Sequence, residues 1–209
     1  MKRNKKKLCT LFLTGLCCLA VFHGCGSQGE GNGIEGAGTQ DNKIEEPAAQ
    51  NTQEGAGETV GEFTMQDIEG NTYTQEMFEE YSLTMVNVFT TWCTPCVNEI
   101  PDLEKLHNEM ADQGVNVVGI VLDSVDSSGN ASEEVVELAR LLAERTGATY
   151  PFLIPDAGYL NGRLLGINAV PETFFVDKEG NIVGETYSGS RSLEDWKSIV
   201  EAESKGVGQ

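Results

Sequence analysis

Thr90-Thr91-Trp92-Cys93-Thr94-Pro95-Cys96-Val97-Asn98-Glu99 decides how this chain is read. Before it, Met85-Val86-Asn87-Val88-Phe89 has the composition of a buried strand; after it, helical spacing runs to about Asp112. Two cysteines three positions apart at a helix start can close a small disulfide ring or open as a dithiol. The helix terminus adds unpaired N–H groups and a partial positive charge, which favour a thiolate over a thiol. That setting holds the first thiol below the usual thiol range and predicts a redox pair. Pro95 falls at the helix start, where a missing N–H is harmless.

Trp92-Cys93-Thr94-Pro95-Cys96 resembles the active site of the thioredoxin superfamily. Asn87 stands six residues before Cys93, where thioredoxins proper carry a buried Asp. Glu99 follows Cys96 by three residues, and Pro101 comes two later. Together these resemble the membrane-tethered TlpA/ResA-like thiol–disulfide oxidoreductases, over roughly residues 61–203. Asn168-Ala169-Val170-Pro171-Glu172-Thr173, a proline directly before an apolar strand, resembles the cis-proline loop of the same folds. There the residue before the proline, here Val170, offers its backbone to an extended substrate segment.

The resemblance implies an exchange in which Cys93 attacks a substrate disulfide and Cys96 resolves the mixed disulfide. Glu99, three and six residues from the two cysteines, shares their helical face, and as a partly buried acid it would tune the thiols or shuttle a proton. The competing reading is a solvated helix glutamate. Asn87 is expected to be buried and bonded to backbone, and Trp92 to wall off the sulfurs. No cofactor is expected beyond the Cys93–Cys96 disulfide. The implied partners are exported proteins with disulfides, apocytochrome c among them, and a membrane thiol electron donor.

Residues 1–25 carry five basic side chains and no acid, and Leu8 to Phe22 is an uncharged run of 15 residues. That is short for a membrane span, which needs about 20, and reads as an export signal. Phe22-His23-Gly24-Cys25 resembles a bacterial lipoprotein processing site, so Cys25 is the expected lipidation point, with an uncleaved signal anchor as the rival. Either tethers the domain on the extracytoplasmic side of the cell membrane. Without residues 1–25 the formal charge moves from −19 to −24, which disfavours nucleic acid as a partner. Cys9, Cys17 and Cys18 fall inside the signal, so only Cys93 and Cys96 remain for the folded part. A two-residue spacer closes too small a loop to be a useful structural staple, which leaves the redox role.

Residues 26–60, rich in Gly, Glu, Gln and Asn, read as a flexible tether, with the folded domain at 61–209. That domain opens on a β-hairpin, Phe63–Gln66 and Thr72–Thr74 around Asp67–Asn71, followed by a short helix at Gln75–Tyr81. Strands are expected at Leu83–Phe89, Val115–Val121 and Phe152–Ile154. A helix capped by Ser132 and stopped by Gly147 carries the apolar residues Val135, Val136, Leu138, Leu141 and Leu142. A short helix at Tyr159–Leu165, a hairpin of Phe174–Val176 with Ile182–Tyr187 and a closing helix from Ser192 complete an α/β, thioredoxin-like fold. Its central mixed sheet carries helices on both faces.

Two other functions use the same cysteines. A thiol peroxidase would keep a Thr two residues removed from the Cys, which Thr90-Thr91-Trp92-Cys93 supplies, but it needs a proline where Val86 stands. A metal-carrying lipoprotein would need third and fourth ligands. His107 reads as a helix-surface residue, so no metal site is expected.

Overall fold

The computed structural model describes residues 58–207; Cys25, the signal and the tether up to residue 57 lie outside them. A seven-stranded sheet runs in the order β2-β1-β5-β4-β3-β6-β7. Its strands are β1 (Thr64–Asp67), β2 (Thr72–Thr74), β3 (Leu83–Phe89), β4 (Val115–Val121), β5 (Phe152–Ile154), β6 (Glu172–Asp177) and β7 (Ile182–Ser188). β3 pairs in parallel with β4 and antiparallel with β6, and β4 pairs in parallel with β5. The sheet is therefore mixed. Every residue of β3 and β4 is buried, as expected of central strands with near-continuous apolar sequence.

Alternation along these strands divides the core. Leu83, Met85, Phe89, Val117, Val121 and Phe175 meet the three α-helices, α1 (Thr94–Met110), α2 (Glu133–Thr146) and α3 (Leu193–Val207). Val86, Val88, Val118, Ile120, Phe174 and Val176 face the other way, onto Phe63, Phe78, Leu160 and Leu164. Helices cover both faces, but unequally. The α-helices pack on one; on the other, among the described residues, lie the 3₁₀ turn at Gln75–Phe78, shorter than the expected helix, and Leu122 of a second 3₁₀ turn at Leu122–Ser124.

Gly119 of β4 lies opposite Asn87 of β3. A Cβ there would meet the Phe152 ring at 2.9 Å and the Phe89 ring at 3.1 Å. Those rings pack edge to face with centroids 5.0 Å apart, a favoured aromatic geometry. Glycine is what lets them close over the sheet.

The structure adds to or departs from the sequence reading at three places. Ser132 caps α2 and Gly147 ends it in a left-handed conformation, as expected, and its buried residues are Val136 and Ala139. Leu138 and Leu141 are exposed; they form a second i,i+3 stripe turned away from the one that meets the sheet. Tyr159–Leu165 is not a helix. Tyr159, Leu160 and Asn161 have φ of 47°, 50° and 54°, followed by Gly162 at 83°, and the Gly162 N–H bonds to the Gly158 carbonyl at 2.9 Å. Left-handed backbone costs a non-glycine residue about 1–2 kcal/mol. Burial of Leu160 and Leu164 offsets it. Pairing also begins earlier than residue 61, since the Val60 N–H bonds to the Gly180 carbonyl at 3.0 Å.

Candidate active site

Cys93 is the N-cap residue of α1, and its sulfur accepts the Cys96 N–H at 3.3 Å. Helix geometry thus aims an otherwise unpaired N–H at the first sulfur, where it would support a thiolate. Cys93 and Cys96 are joined as a disulfide, with Cα atoms 5.3 Å apart. The two sulfurs differ in access. Cys93 lines a groove of about 470 Å³ and Cys96 does not; Cys96 is wholly buried.

The groove is walled by Trp92, Pro95, Leu122, Ile167 and Val170, and no charged residue lines it. The Val170–Pro171 peptide bond is cis, and the Val170 carbonyl oxygen lies 3.6 Å from Cys93 Sγ. Trp92 is 74% exposed, so it forms a free-standing rim rather than a lid packed over both sulfurs. The loop that carries it is held from just beyond the end of the neighbouring strand, β4. Asp123 accepts the Thr91 N–H at 3.0 and 3.1 Å and the Thr91 hydroxyl at 2.7 Å. Asp123 is not among the site residues expected from the sequence.

One turn along α1 from Cys96, Glu99 is 3% exposed. Its Oε1 accepts Asn87 Nδ2 at 2.9 Å, and its Oε2 accepts the Arg191 N–H at 3.1 Å and Trp196 Nε1 at 3.3 Å. Burial drives the Glu99 carboxyl above the ordinary carboxylate range, and these three donors with the nearby Arg191 charge pull back only part of that rise. The solvated-glutamate reading is excluded by this burial. Asn87 is buried as expected, but its amide bonds to side chains rather than backbone, giving its second hydrogen to Thr173 Oγ1 at 3.0 Å. β3 and β6 set Asn87 and Thr173 directly opposite each other.

Sequence reasoning missed Thr173, Arg191 and Trp196 as parts of this network. Trp196 reads only as an apolar position of the closing helix, and it is wholly buried. Arg191 carries no sequence signal. Its guanidinium bonds to the Ser188 and Gly189 carbonyls at 3.2 and 2.7 Å and lies 5.1 Å from the centroids of both the Tyr187 and Trp196 rings. His107 is not a surface residue as expected. It is half-buried against Tyr150, and burial lowers its pKa. Among the described residues no three His, Cys, Asp or Glu side chains converge as metal ligands would.

A Cys-X-X-Cys at a helix start, beside a cis-proline on a thioredoxin-like sheet, defines the class of thiol–disulfide oxidoreductases. Residues 56–184 match the AhpC/TSA family, and the chain belongs to it. The chain is 28% identical over 150 residues to the thiol-disulfide oxidoreductase ResA of Halalkalibacterium halodurans, covering 71% of this chain and 78% of that one. It is 32% identical over 139 residues to the thiol:disulfide interchange protein DsbE of Pasteurella multocida, covering 66% and 68%. Among solved structures, a thiol:disulfide interchange protein of the thioredoxin family from Chlorobium tepidum TLS superposes with a TM-score of 0.58. That pair shares 25% identity and covers 72% of this chain and 98% of that one. The protein is an enzyme of the TlpA/ResA-like group, working by thiol–disulfide exchange; the peroxidase and metal-carrier readings are not favoured.

Proposed function

We propose that this enzyme reduces disulfides of exported proteins, with Cys93 as nucleophile and Cys96 as resolving thiol. The observation that carries the assignment is the unequal access of the two sulfurs: Cys93 opens on the groove and Cys96 is sealed behind it. In the reduced enzyme the Cys93 thiolate attacks one substrate sulfur, the substrate disulfide breaks, and one substrate thiolate leaves. Cys96 then gives its proton to the Glu99 carboxylate and attacks Cys93 Sγ. The mixed disulfide breaks, the second substrate thiolate leaves, and the Cys93–Cys96 disulfide returns.

Val170 and Pro171 would present backbone to the substrate segment, while Trp92 and Pro95 flank it. The uncharged groove suits an extended apolar segment around the target cysteines. Asn87 would hold Glu99 in place. A membrane thiol donor re-reduces the pair, and apocytochrome c is a candidate substrate on family grounds. Anchoring rests on the sequence of residues 1–25, with lipidation at Cys25; no helix among the described residues is long and apolar enough to cross a membrane.

Cys96→Ala tests the order of attack. Incubated with an oxidised substrate protein, that variant should accumulate a mixed disulfide through Cys93, mapped by peptide mass spectrometry. Wild type should accumulate none. Failure to trap an adduct with any disulfide substrate would overturn the assignment.

A further inference from the structure

Each donor to Glu99 is a poor acid–base partner: a side-chain amide, a backbone N–H and an indole N–H. None can accept or return the proton that Glu99 takes from Cys96. Arg191, the nearest cation, offers its backbone to Glu99 while its guanidinium is committed to carbonyls and rings. Thus Glu99 must exchange its proton with water, and the Cys93 groove is blocked when a substrate fills it.

A second opening meets this need. A cleft of about 370 Å³ reaches Glu99 between α1 and the segment leading into α3, lined by Asn98, Asp102, Ser190, Arg191 and Asp195. It shares only Pro95 with the substrate groove. The charged or titratable groups around Glu99 are Asp102 on its own helix, Arg191 and Asp195 from the α3 side, and the buried Tyr150 phenol on the far side; Asn87 and Thr173, from β3 and β6, are neutral. Asp102 is paired with Lys105 and Asp195 with the Ser192 hydroxyl at the rim.

We propose that this cleft is a proton port, through which Glu99 discharges to solvent the proton taken from Cys96 while substrate still covers Cys93. The inference rests on the reading of Glu99 as the proton acceptor and assigns Asn98, Arg191 and Asp195 as the walls of its exit, not as catalytic residues. In the step, Glu99–COOH loses a proton to cleft water and Glu99–COO⁻ is restored; no electrons move.

The test is to fill the cleft from its exposed wall. Asn98→Trp in the full chain, with Asn98→Ala as control and Ser190→Trp as a second filler should the first not fold, is followed by stopped-flow. With oxidised protein substrate and reductant in excess, resolution in the second and later turnovers should slow about tenfold in the Trp variant, because Glu99 then still holds the proton of the turnover before. The first attack by Cys93 and the equilibrium constant against glutathione should stay unchanged, which general damage to the fold would not allow. Unchanged resolution in both folded Trp variants, beside slowed resolution in Glu99→Gln, would overturn the port and leave the role of Glu99 standing. Normal resolution in Glu99→Gln would overturn both.

Discussion

Asn87 Nδ2 donates to Glu99 Oε1 at 2.9 Å, joining the middle of the central strand to the active-site helix one turn after Cys96. An amide here can follow the charge of its partner. Its NH₂ serves the carboxylate, and after a half-turn its carbonyl would accept from the carboxylic acid, with the Thr173 hydroxyl donating to the same oxygen. An aspartate at 87 would instead set two buried carboxylates side by side, and one of them would have to stay protonated.

The pH dependence of stability should report Glu99. Burial raises its folded pKa above the ordinary 4.5. The protonated form is therefore the one the fold favours, and the stability this contributes is complete below about pH 4.5 and lost as pH rises through the folded-state pKa. Glu99→Gln removes that dependence. Thermal unfolding across pH 4 to 9 should show the variant gaining on wild type as pH rises. A gap that does not change with pH would contradict a carboxyl raised by burial.

Gly119→Ala should destabilise the fold, because the new methyl enters the contact between Phe89 and Phe152 and must push apart two packed rings. Overpacking of this kind costs about 1–3 kcal/mol. Urea unfolding should show a lower midpoint with an unchanged slope. Wild-type stability would mean that the rings yield freely.

Arg163 ties the left-handed turn to the strand that follows Pro171. It pairs with Glu172 at 2.9 Å and lies 4.4 Å over the Phe174 ring, and both charged side chains are mostly buried. Arg163→Met leaves Glu172 without its partner, at a cost of about 3 kcal/mol if the site stays closed. Because the loop between these residues carries Ile167 to Val170, KM for a protein substrate should rise several-fold with little change in kcat. Equal loss in both parameters would place the defect elsewhere.

Local signals made much of this legible. β3, β4 and α2 have the bounds their apolar runs and caps imply, since each is set by burial or capping within the segment itself. What sequence left hidden depends on partners far away. The choice of α2 face depends on the sheet it meets, and Asn87 on Thr173, 86 residues away. The Tyr159–Leu165 turn defeats helical spacing because Gly158, Gly162 and the Asp156 carboxylate, which accepts the Gly158 and Tyr159 N–H groups, redirect the backbone. One signal was readable but scattered. Asp67–Asn71, Asp126–Asn130 and Asp177–Asn181 share the pattern D-x-x-G-N, and in each the Asp carboxylate accepts the N–H groups two and four residues on.

The reduction potential of the Cys93–Cys96 pair, equilibrated against a thiol–disulfide buffer, tests the proposed direction of exchange most directly. For a reductase of exported disulfides, a value toward the thioredoxin end, about −270 mV, is expected. A value toward the DsbA end, about −120 mV, would contradict it and make the same residues an oxidant of exported thiols.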